Sequence, residues 1–169
     1  MSVKALKSVP FELPFLKGAY KDCSLSFILK ERPELGPLLE ALIPLMEEKR
    51  FLSIDYFEQE FSKGNLKTCR NLSFHVDGEN NNYLIWSKGG PRTLFLKEPQ
   101  IVEGQSLRAK NDYLRDKTFK GLFFEIPEET PVLYTSDDPH AGRIAKPNDK
   151  RWFLRLCQSD YLKPKNIKK

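Results

Sequence analysis

From Cys69 onward the chain is a succession of short β-rich runs, each closed by polar or Gly/Pro punctuation. The runs are NLSFHV (71–76), NYLIWS (82–87), TLFLK (93–97), PQIVE (99–103), KGLFFEI (120–126), PVLYTS (131–136) and RWFLRLCQ (151–158). Apolar segments of this length, rich in β-branched and aromatic residues, predict strands of an antiparallel sandwich or barrel rather than helices. These make seven candidate strands. SKGGPR has the chemistry of a hairpin turn. Residues 104–118 and 137–150 read as long polar connections, the kind of segment in which a β scaffold usually carries its binding groups.

The N-terminal third is mixed. Within PELGPLLEALIPLMEEKR, residues Leu35, Leu38, Leu39, Leu42, Leu45 and Met46 recur at helical spacing, which predicts a helix over 34–50 packed on the outside of the sheet. Pro33 and Pro37 suit a first turn, and Pro44 predicts a kink or a second short helix. With 169 residues the chain is expected to form a single domain (1–169), with a β core over 70–158. The longest unbroken apolar stretch, Ala41 to Met46, is far shorter than the roughly 20 residues a spanning helix needs. A soluble, non-exported, cytoplasmic protein without membrane partners is therefore expected. Cys23, Cys69 and Cys157 are odd in number and lack CxxC spacing, so neither a disulfide framework nor a zinc ribbon is indicated. The net charge of +5 owes four positive charges to Lys163, Lys165, Lys168 and Lys169. The basic segment 163–169 reads as a frayed, solubilising end, and nucleic acid is not an expected partner.

The chemistry-bearing groups are few. The only two histidines are His75 and His140. In a strand, His75 and Asp77 of the HVD tripeptide point to the same face while Val76 points away. His140 follows the run PVLYTS, and adjacent strands of a barrel would bring it beside the first pair. Two imidazoles and a carboxylate on one face of an octahedral ion leave three positions open, as non-haem Fe(II) chemistry requires, although the same set does not exclude zinc. Asp138 is an alternative carboxylate ligand. The bland alternative is a pair of satisfied histidines, His75 bonded to Asp77 and His140 capping a loop. Arg151 and Arg155 share a face of RWFLRLCQ, where two guanidinium groups on an apolar strand call for an anion, and a carboxylate fits their fork. Tyr83, Thr93 and Tyr134 lie on runs expected to line the barrel and to offer hydrogen bonds. Cys157 shares the arginine face, where an inert buried thiol is the default.

HVD, a strand with a GG turn, a distal His and an Arg 11 residues beyond it together resemble the HxD…H…R signature of the Fe(II)/2-oxoglutarate-dependent dioxygenases. The resemblance covers residues 70–158, and RWFLR is similar to the arginine strand of the taurine dioxygenase branch. It implies a mainly β fold with a double-stranded β-helix (jelly-roll) core of eight strands, the eighth of which would come from residues 52–68 or from around His140. By the resemblance His75, Asp77 and His140 would bind Fe(II), and Arg151 would clamp the distal carboxylate of the co-substrate 2-oxoglutarate. Arg155 would assist the clamp or hold the substrate, and Tyr83 and Thr93 would contact the keto acid. The implied activity is oxidation, most simply hydroxylation, of a small-molecule or peptide substrate, with release of succinate and CO2. The rival reading is a non-catalytic, cupin-like jelly-roll that holds a small anion on the two arginines.

Overall fold

The computed structural model describes residues 3–61, 73–77, 81–97, 106–116 and 121–169. Strands β1 (Lys4–Ala5) and β2 (Gly18–Cys23) precede helix α1 (Leu25–Glu31). Ser24 caps α1, its Oγ accepting from the Phe27 N–H at 3.3 Å, which satisfies one of the free donors at the helix start. The helix expected over 34–50 is divided into a 3-10 turn Pro33–Leu35, helix α2 (Gly36–Leu42) and a second 3-10 turn Ile43–Leu45. Pro44 cannot donate to the helical ladder, so the α pattern stops before it.

Strands β3 (Phe51–Glu60), β4 (Asn82–Gly89) and β5 (Leu94–Leu96) follow, then helix α3 (Leu107–Asp116), β6 (Phe123–Glu125), β7 (Val132–Thr135), β8 (His140–Ala141), β9 (Lys150–Ser159) and β10 (Ile167–Lys168). The protein is mainly β. One sheet has the order β1-β7-β4-β9-β3-β2-β10 and a smaller one β6-β5-β8, every pairing being antiparallel. Both sources named for an eighth strand contribute, β3 from residues 51–60 and β8 at His140. Of the run 71–76 only His75 pairs among the described residues, through an isolated bridge to His140. PQIVE (99–103) and Cys69 lie outside the described residues.

Period-two alternation gives the large sheet two faces. On the outer face Ile54, Tyr56, Leu84, Trp86, Leu154 and Leu156 pack with Ile28 of α1 and with Leu35, Leu38, Leu39 and Leu42, so the N-terminal helices do lie outside the sheet. On the inner face Tyr83, Ile85, Val132 and Tyr134 cluster with Phe95 of β5, which joins the two sheets.

Two expectations are corrected. The segment read as a polar connection over 104–118 contains α3, because Lys110, Asn111 and Leu114 form a helical face that docks on the ends of the small sheet. The basic segment 163–169 is not a frayed end. Ile167 and Lys168 pair with Lys21 and Tyr20, the Asp22 carbonyl accepts from the Lys165 and Asn166 N–H groups, and Lys168 Nζ meets Glu31 at 2.5 Å. β2 would otherwise offer an open sheet edge, and this segment covers it.

Candidate metal centre and anion cleft

His75 and His140 lie directly opposite one another and exchange both backbone hydrogen bonds, His75 N to His140 O at 3.0 Å and His140 N to His75 O at 2.9 Å. Opposed residues of an antiparallel pair project to the same side, and the ring centroids are 4.4 Å apart. Asp77, two residues beyond His75, returns to that side and is fixed by its N–H donating to Ser136 O at 3.0 Å.

Each imidazole is anchored through Nδ1. His75 Nδ1 is 3.1 Å from Ser73 O and His140 Nδ1 is 3.0 Å from Asp138 O, so both nitrogens donate and the Nε2 atoms take the acceptor tautomer. The two Nε2 atoms face one carboxylate, His75 Nε2 at 4.0 Å from Asp77 Oδ1 and His140 Nε2 at 3.6 Å from Asp77 Oδ2. One ligand atom from each of the three residues falls within 4.8 Å of the others. A metal-ligating histidine is usually tied through its second nitrogen in this manner, and the donor set suits a divalent transition ion. Phe95 and Tyr134 wall the His140 ring, with centroids at 5.7 Å and 5.2 Å. That burial pushes the His140 pKa down to about 4, against the opposing pull of Asp77 and with a further lowering from His75. His140 is thus neutral, the ligating form, at pH 7.

Asp138, the alternative ligand, is engaged elsewhere. Its Oδ2 accepts from the Thr135 N–H at 2.7 Å and the Thr135 hydroxyl at 2.9 Å. It closes the turn between β7 and β8 and has no part in the triad.

On the inner face β9 and β3 carry matched side chains: Arg151 opposite Gln59, Phe153 opposite Phe57, Arg155 opposite Asp55 and Cys157 opposite Ser53. Arg151 is buried. Its Nε and Nη2 both donate to Gln59 Oε1, the Nε at 3.1 Å, and its Nη1 donates to the Pro91 carbonyl at 3.0 Å. The GGP turn brings that carbonyl close, since Gly89 has φ +73° and a Cβ there would stand 2.0 Å from the Lys150 carbonyl oxygen. Only glycine admits that approach. Arg155 Nη2 meets Asp55 Oδ2 at 2.6 Å and its Nη1 reaches Asp77 Oδ2 at 3.5 Å, so Arg155 links Asp55 to the triad's carboxylate. Asp55 is itself fixed, its Oδ1 accepting from the Asp22 N–H at 2.7 Å.

A cleft of about 520 Å³ brings the triad, Arg151, Arg155, Thr93, Phe57 and Phe153 together. Tyr83 does not line it. Its register partner on β9 is Cys157, its hydroxyl accepts from Asn81 Nδ2 at 3.2 Å, and it lines a second cavity of about 440 Å³ with Ser53 and Cys157. Asp55 and Arg155 border both cavities. Burial raises the pKa of the Cys157 thiol, in keeping with an unreactive thiol. Tyr134 packs edge-on against the His140 ring, its hydroxyl buried.

Sequence reading missed Asp55, Gln59, the Pro91 carbonyl and Asn111. The first two could have been found by matching FLSIDYFEQE against RWFLRLCQ, in which polar and aromatic positions correspond with period two. No family model, curated protein or solved structure matches the chain.

Proposed function

We propose that the protein is an Fe(II)- and 2-oxoglutarate-dependent oxygenase built on a double-stranded β-helix. The pairing order supports that architecture: β3, β9, β4 and β7 are neighbours in one sheet. In the other layer the His75 bridge, β8, β5 and β6 follow one another, so from β3 to β9 successive segments alternate between sheets except at the β5–β6 pair, which stays in the small one. The observation that carries the functional reading is the common cleft, in which two histidines and an aspartate converge beside a buried arginine.

His75, Asp77 and His140 would hold the metal, and their donor set fits Fe(II) with positions to spare. Iron bound there would couple oxidative decarboxylation of the keto acid to oxidation of a substrate C–H bond. The remaining work belongs to the chain. Arg151 would meet the distal carboxylate through its terminal Nη1 and Nη2 groups, on a guanidinium that Gln59 and the Pro91 carbonyl already hold in place, which lowers the ordering cost of binding. The Thr93 side chain offers a hydrogen bond to the same molecule. Phe57 and Phe153 border the cleft and keep water from the keto acid. Asp55 holds Arg155, and Arg155 holds Asp77. The substrate is a small molecule or peptide that enters the remaining part of the cleft.

The test is conversion of 2-oxoglutarate to succinate by the Fe(II)-loaded protein in air, with His75→Ala as control. Succinate formation above the control supports the oxygenase. Tight 2-oxoglutarate binding through Arg151 with no succinate formed would favour a non-catalytic anion-binding protein.

A further inference from the structure

The segment that carries two of the three metal-binding groups is short, and it is gripped from outside the sheets by one side chain. Asn111 of α3 makes two hydrogen bonds to a single residue: its Oδ1 accepts from the Val76 N–H at 2.8 Å, and its Nδ2 donates to the Val76 carbonyl at 3.2 Å. Val76 lies between His75 and Asp77, so the two peptide groups that join it to these residues are both held by one carboxamide, on the side opposite the bonds to His140 and Ser136. The primary amide supplies one acceptor and one donor on one plane, the pattern a backbone residue in a strand presents to its neighbour. Asn111 therefore takes the place of a ladder partner on the edge of the His75 segment that faces away from β8.

The rest of α3 serves the same contact. Leu114, one turn on, packs with Val76 and Leu96. Lys110 Nζ meets Asp137 Oδ1 at 3.2 Å, and Asp137 belongs to the turn that leads into His140. Positions 110, 111 and 114 share one helical face, so α3 is docked at once on the segment bearing His75 and Asp77 and on the turn before His140.

We infer that Asn111 is a positioning residue for the metal centre, which holds the His75–Asp77 segment in the register that lets both side chains reach one ion. The inference rests on the metal reading proposed above and extends it to a residue outside the β core. An interaction that orients metal ligands from behind them is typically worth 10–100-fold in metal affinity.

The experiment is a Co(II) titration of the full chain followed by the visible ligand-field spectrum, at a temperature where circular dichroism shows each variant folded. Wild type, His75→Ala, Asn111→Leu and Asn111→Asp are compared. Leu keeps the volume of Asn, suits a helix better and removes both hydrogen bonds; Asp keeps the bond from the Val76 N–H and loses the other. Asn111→Leu is expected to weaken Co(II) binding at least tenfold and to alter the band shape, with Asn111→Asp between it and wild type. Unchanged affinity and spectrum in Asn111→Leu, with binding lost in His75→Ala, overturns the role of Asn111 and leaves the metal site standing. Absence of Co(II) binding by wild type overturns both. Should Asn111→Leu fail to fold, Asn111→Asp decides, and wild-type affinity and spectrum in that variant overturn the inference.

Discussion

His75 and His140, 65 residues apart in the sequence, form a reciprocal backbone pair in which each N–H donates to the other's carbonyl, at 3.0 Å and 2.9 Å. Strand pairing therefore sets the separation of the two backbones, and the Nδ1 bonds to Ser73 O and Asp138 O set the two rings upon it. A site built on paired backbone keeps its geometry better than one on loops.

Metal binding should follow the triad and ignore the neighbouring aspartate. His75→Ala, His140→Ala and Asp77→Ala are expected to abolish stoichiometric Fe(II) binding with the fold retained. Asp138→Ala should keep the iron and lose about 1–2 kcal/mol of stability, since the Thr135 N–H and hydroxyl lose their acceptor. Equilibrium dialysis with denaturant unfolding separates the two classes. Full iron binding by both histidine variants would refute the triad.

The co-substrate should depend on Arg151 more than on Arg155. Arg151→Ala is expected to weaken 2-oxoglutarate binding by about 2–5 kcal/mol if the pair is desolvated, and Arg151→Lys should recover only part because a point charge lacks the fork. Arg155→Ala should act chiefly on metal affinity, through Asp77. Calorimetric titration of 2-oxoglutarate and of metal into each variant checks the division; loss of 2-oxoglutarate in Arg155→Ala alone would move the clamp to that residue.

The metal-free protein should lose stability on acidification because His140 is buried. Its native pKa is about 4 against an ordinary value of 6.5. Between those values the unfolded chain takes up a proton that the native site refuses. The stability is full above about pH 6.5 and is lost as pH falls toward 4, by up to about 3 kcal/mol. Urea midpoints at pH 7 and pH 5 for wild type and His140→Gln measure it: the variant should show the shallower dependence, and equal slopes would contradict the assignment.

Deleting residues 163–169 should destabilise the fold. The deletion removes the β10 pairing, the bonds to the Asp22 carbonyl and the bond that the Ser24 N–H donates to Asn166 Oδ1. A loss of about 2 kcal/mol is expected, by the usual worth of net hydrogen bonds. Thermal unfolding of the shortened chain checks this, and an unchanged midpoint would mean that the segment contributes nothing to β2.

The parts of this fold that were legible in the sequence are those in which period two runs long enough to be seen. NYLIWS and RWFLRLCQ became β4 and β9, and their alternation correctly put Arg151, Phe153, Arg155 and Cys157 on one face. β8 is two residues long, too short for any pattern, and is a strand only because His75 and Phe95 pair with His140. β3 mixes Asp55, Glu58 and Gln59 among its apolar residues. The charges make sense only once Arg155, Arg32 and Arg151 are known to face them. α3 looked like a polar loop because one narrow face, Lys110, Asn111 and Leu114, makes its contacts. The lysine-rich end was judged by charge, whereas its pairing with β2 depends on backbone groups that composition does not register. That Tyr83 lines the second cavity was not legible for a similar reason: which residues flank Arg151 is a matter of register, and register is a tertiary property.

One cleft is proposed to bind a metal on His75, Asp77 and His140 and a keto acid beside it. The most direct test is the visible spectrum of the protein with Fe(II) and 2-oxoglutarate under anaerobic conditions. A weak charge-transfer band should appear with wild type, vanish in His75→Ala and require higher 2-oxoglutarate in Arg151→Ala. No band with wild type at saturating Fe(II) and 2-oxoglutarate, or an undiminished band in His75→Ala, would contradict the account.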